Sequence, residues 1–71
     1  MYVSIYIKGH LDQNWQEWLE GLEIAHEEDG TSHLAGRLAD QAALYGVLLK
    51  IDRLNLTLLS FERREAESQE S

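Results

Sequence analysis

The sequence contains no cysteine. Disulfides and thiolate metal sites are therefore excluded. No apolar run approaches the ~18 residues that read as a membrane span. No basic start is followed by an apolar stretch, so no signal peptide is predicted. A cytoplasmic protein is expected. Bases are also scarce: six Lys and Arg stand against thirteen Asp and Glu, for a formal charge of −7. They are scattered at Lys8, Arg37, Lys50, Arg53, Arg63 and Arg64, with only the last two adjacent. Nucleic-acid affinity rests mainly on neutralising phosphates with Lys and Arg. No nucleic-acid partner is expected, and a membrane-surface role fails for the same reason. Nucleophile motifs, phosphate loops, paired-acid constellations, repeats and internal linkers are all missing.

What remains is one short, ordinary domain. The composition is 44% hydrophobic and 27% charged over 71 residues, as in folded soluble proteins. A chain this short buries only about 60% of the surface its unfolded form exposes. Without disulfides it needs an efficient core or a partner chain.

"YVSIYIK" alternates cleanly, with Val3, Ile5 and Ile7 on one face and Tyr2, Ser4, Tyr6 and Lys8 on the other. That predicts a strand ending at Gly9. "NWQEWLEGL" predicts a short helix: Asn14 as N-cap, Glu17 in capping-box spacing, and Gly21 past the end. Two extended runs then flank "EEDGT". A two-residue Asp29-Gly30 turn would pair Ile24 with Ala35. A three-residue loop, Glu28-Asp29-Gly30, would pair Ile24 with Leu34 and Leu22 with Gly36. The second choice gathers Leu22, Ile24, Leu34 and Leu38 on one face and is preferred. "ADQAALYGVLLKIDRLN" predicts a second helix capped by Asp40, with a stripe of Leu44, Val47, Leu48, Ile51 and Leu54. Asn55 can end it in the left-handed conformation. "LTLLSFER" is the last strand. The order is a ferredoxin-like βαββαβ: a four-stranded antiparallel sheet with two helices on one face. It covers residues 1–63, and the polar residues 64–71 are expected to be disordered.

On this reading one sheet face is open. Tyr2, Tyr6, His33, Ala35, Arg37, Leu59 and Phe61 form a candidate ligand or dimer surface there, with Leu58 as the alternative to Leu59. A solvated sheet face should be more polar than this. The second helix is apolar on two sides, so Ala42, Tyr45 and Leu49 form a second candidate interface. RNA stacking on Tyr2 and Tyr6 is disfavoured by the charge. Metal is not expected. His26 and His33 would be cross-strand neighbours only with the two-residue turn, and the three-residue loop puts them on opposite faces.

The segment from Gly36 to Phe61, "GRLADQAALYGVLLKIDRLNLTLLSF", resembles a pattern of small uncharacterised bacterial and archaeal proteins: D-Q-A-A-L-H-G-L-L, K-I-R-D-L-G-L, then L-L-S-V. The match covers Asp40 to Leu44, Gly46, Leu48 to Ile51, Leu54 and Leu58 to Ser60. "GHLD" and "WQEW", within Gly9 to Trp18, are also similar to it. Tyr45 stands where the pattern has His, Asp52-Arg53 where it has Arg-Asp, and Asn55 where it has Gly. The resemblance implies no established function and no site.

The expected function is a small homo-oligomeric binding or interaction module, a two-fold dimer by preference, with no cofactor. A ligand cleft between subunits is one form it could take, for a small molecule the sequence does not identify. The alternative is a small cofactor-independent enzyme, isomerase- or monooxygenase-like, with a cleft on the open sheet face around His33 and Tyr6.

Overall fold

Alternation sets the centre of the molecule. In a computed structural model, which describes residues 1–64, Val3, Ile5 and Ile7 lie on the buried side of strand β1, Tyr2–Lys8. The other elements are β2 (Glu23–His26), β3 (Thr31–Arg37), helix α1 (Gln41–Arg53) and β4 (Leu58–Arg64). All strand pairs are antiparallel, and the sheet order is β2-β3-β1-β4. Each long connection therefore passes over a strand: β1 to β2 over β3, and β3 to β4 over β1. The fold is α+β, with one α-helix among the described residues.

The hairpin follows the apolar pattern. Ile24 pairs with Leu34, and Glu23 with Ala35. The Glu27 N–H donates to the Thr31 carbonyl, leaving Glu28, Asp29 and Gly30 as the loop. Gly30 has φ +89°. Leu22, Ile24, Leu34 and Leu38 are all buried on one side. Leu22 lies against Gly36, where a Cβ would come within 3.0 Å of its Cδ2. Gly30 instead has open space around its Cα. The Gly30→Ala change should then act through the backbone alone, lowering stability by about 1 kcal/mol. A thermal melt that matches the wild type would remove the argument.

The first predicted helix does not form. Gln13–Trp15 is a single 3-10 turn, capped by Asp12 and not by Asn14. One further turn follows, with the Leu19 N–H donating to the Trp15 and Gln16 carbonyls. Positive φ at Glu20 (64°) and Gly21 (78°) then ends it. Nucleating a helix is costly, and short helices survive through their packed faces. Here Leu19 enters the core, while Trp15 and Trp18 stay partly exposed. One anchor does not hold two turns.

Helix α1 is held at both ends and along one stripe. The Asp40 carboxylate accepts the Ala43 N–H at 2.9 Å, and Asn55 has φ 60°. Leu44, Val47 and Ile51 are buried, and Leu48 and Leu54 pack at the margin of the core. The connection from β1 to β2 adds Leu11, Leu19 and Leu22 to the same core. One face of the sheet is thus covered by α1 and this connection. The predicted tail falls, from residue 65 on, outside the described residues.

A buried hydroxyl ties the layers together. Ser32 is 0% exposed. Its Oγ donates to the Gly9 carbonyl at 2.7 Å and accepts the Leu11 N–H at 2.8 Å. Gly9 has φ +93° and donates its N–H to the Gly30 carbonyl. The chain leaving β1 is therefore fastened to the hairpin before it crosses the sheet.

Candidate functional site

Register arranges the open sheet face in cross-strand rows. Residues directly opposite share a face. One row is Arg37–Tyr2–Arg64, the next Ala35–Ser4–Glu62, and the next His33–Tyr6–Ser60. Ala25 extends the last row onto β2, and Glu23 extends the middle one. The face thus has bulky rows at Tyr2 and Tyr6, with small Ser4 and Ala35 between them. Tyr6 and His33 stack, with ring centroids 4.4 Å apart and planes 9° from parallel. The Ser4 hydroxyl and His33 Nε2 are hydrogen-bonded at 2.6 Å.

Five residues named from sequence therefore do share this face: Tyr2, Tyr6, His33, Ala35 and Arg37. Phe61 does not. It lies opposite Ile5, on the side of the sheet that carries α1. Leu59 is the extra residue where the β1–β4 register shifts between Tyr6 and Ile7. This bulge re-aims the residues before it, so Leu58 falls opposite Ile7.

The largest apolar exposure lies elsewhere. Among the described residues nine large apolar side chains are exposed, and five are Tyr45 (59%), Leu49 (55%), Leu59 (50%), Leu58 (42%) and Phe61 (41%). Every residue of β4 is exposed, because β4 is an edge strand and α1 does not cover it. On α1 the stripe of Leu44, Val47 and Ile51 faces the core. Lys50 flanks it on one side, donating to the Trp18 carbonyl at 2.8 Å and pairing with Glu20 at 3.4 Å. That side faces the connection leading to β2. Tyr45 and Leu49, four residues apart, lie on the side of α1 turned away from that stripe and exposed. Ala42, also exposed, precedes them on the same side. Apolar side chains are thus exposed both on the second predicted interface and along β4.

The hairpin histidines are separated. His26 lies opposite buried Ser32, whereas His33 lies opposite Ala25 and Tyr6. They stand on opposite sides of the sheet and cannot share a ligand. His26 instead stacks on His10, centroids 4.5 Å apart. Their Nε2 atoms donate to the Leu11 and Glu27 carbonyls at 2.6 and 3.0 Å. The pair closes the loop after β1 onto the hairpin. Sequence reasoning missed it, because no local pattern links residues so far apart. At the hairpin tip, Asp29 accepts the Thr31 hydroxyl at 2.7 Å and the Thr31 N–H at 3.1 Å. These bonds hold its carboxyl below the usual carboxylate range, hydroxyl first. Among the described residues no group of three or more His, Asp or Glu side chains is placed to hold a metal. No helix among them is long and apolar enough to cross a membrane.

A family model described as a domain of unknown function (DUF8691) matches residues 2–62. No curated protein and no solved structure matches the chain.

Proposed function

The chain belongs to the DUF8691 family, whose function is unknown, and from that premise we propose that it is a small cytoplasmic binding module that works as a homo-oligomer, a two-fold dimer by preference. The observation that carries this is the exposure of Leu58, Leu59 and Phe61 along the β4 edge and of Tyr45 and Leu49 on the outer side of α1. Apolar side chains clustered along an exposed strand mark a site of association, and a domain this short gains most from one. The strand order supports reading the domain as ferredoxin-like, with its first helix reduced to turns. The open face then stays available in each subunit for a ligand or partner.

Self-association couples folding to concentration. The melting temperature should rise between ~1 and ~100 µM protein. A midpoint that stays fixed over that range would speak against association.

A rival reading, a small cofactor-independent enzyme, draws on the Ser4–His33 hydrogen bond beside Tyr6. A serine paired with an imidazole is the start of a nucleophilic site. Such a site also needs free donors for the developing oxyanion. Ser4 lies in mid-strand, with β1 paired on both sides. Its neighbouring backbone N–H groups are used in the ladders. The binding reading therefore stands first.

A further inference from the structure

The two edges of the sheet are not alike. β2, at one edge, has four residues and starts at Glu23. The Gln13 side chain closes its outer side, donating to the Ile24 carbonyl at 2.8 Å. Short length, charge and a covering group are the ordinary ways of blunting an edge against pairing. β4, at the other edge, has seven residues and begins with the uncharged run Leu58-Leu59-Ser60-Phe61. A bare, long, apolar edge is a template for another strand.

We propose that the β4 edge pairs antiparallel with β4 of a second copy of this chain, about a two-fold axis at Phe61. This rests on the self-association proposed above and names its surface. The charges select both occupant and register. Two-fold pairing centred on Glu62 or on Arg63 would set like charges face to face, which is destabilising. Centring on Ser60 would put the bulge residue Leu59 beside the axis on both strands, whereas centring on Phe61 moves it two residues away. Centring on Phe61 sets Phe61 against its twin, Ser60 against Glu62, and Leu59 against Arg63, so no like charges oppose. The stretch Leu58–Arg64 carries Arg63 and Arg64 against Glu62 alone, a local excess of positive charge in a chain of −7. It therefore lacks the acidic excess of the rest of the chain, and this register sets neither Glu62 nor Arg63 against its own twin. Phe61 lies on the α1 side of the sheet, as Ile5 opposite it shows. The sheets join into one continuous sheet, and both open faces stay accessible.

The absence of cysteine allows a direct test. Residues opposite each other across an antiparallel pair have Cα atoms about 4.5–5.5 Å apart, within reach of a disulfide. F61C should form a covalent dimer under mild oxidation. The double variant L59C/R63C should do the same while keeping Phe61. Its two cysteines cannot bridge within one chain, since four residues of strand span about 13 Å. Both variants should cross-link several-fold more than E17C, an exposed site off the edge. A wild type that is oligomeric, with neither variant above E17C, overturns the β4 edge and leaves self-association standing. A wild type that is monomeric overturns both.

Discussion

The Ser32→Ala variant should lose about 2–4 kcal/mol of stability, read as a lower urea midpoint at unchanged slope. The change removes one oxygen atom. It leaves the Leu11 N–H and the Gly9 carbonyl without their partner; Ser32 is 0% exposed and the bond to Leu11 is buried, while that to Gly9 is part-buried. A buried donor or acceptor left unmade costs about 1–3 kcal/mol each. Against the roughly 4–10 kcal/mol expected for a domain of this length, that is a large share. The Thr31→Ala change next to it removes an exposed hydroxyl bonded to Asp29 and should cost far less. Equal losses for the two variants would mean that Ser32 does not fasten the chain after β1 to the hairpin.

Replacing Leu49 by Glu should convert the oligomer to single chains, with the fold intact, if the exposed side of α1 forms the contact. Leu49 is exposed in the isolated chain, where surface substitutions usually change stability by less than about 0.5 kcal/mol. In a contact its charge would be buried without a partner. A penalty of about 3 kcal/mol weakens association by roughly a hundredfold. Tyr6→Glu, on the open face, should leave the mass unchanged. If Tyr6→Glu lowers the mass and Leu49→Glu does not, the open face is the contact. Far-UV circular dichroism separates either result from unfolding.

These two residues also mark how much could be read from sequence. Leu49 was legible, because α1 has clear caps in Asp40 and Asn55 and a stripe whose leftover residues share a second flank. The hairpin was legible too: only the three-residue loop brings Ile24 and Leu34 together, and burial enforces that choice. Ser32 was not legible. Its role depends on Gly9 and Leu11, whose backbone reaches it only after the chain turns at Gly9. The Asn14–Gly21 segment misled because its capping pattern is sound locally, yet Leu19 alone anchors it. Phe61 departs from its expected face for a different reason. "LTLLSF" is apolar on both sides, so period gives no face. The bulge at Leu59 decides, and only pairing with β1 reveals it.

Light scattering coupled to size exclusion, on the wild-type chain at ~10 µM, tests self-association most directly. The account predicts at least twice the 8.2 kDa chain mass. A monodisperse peak at the mass of one chain would contradict it.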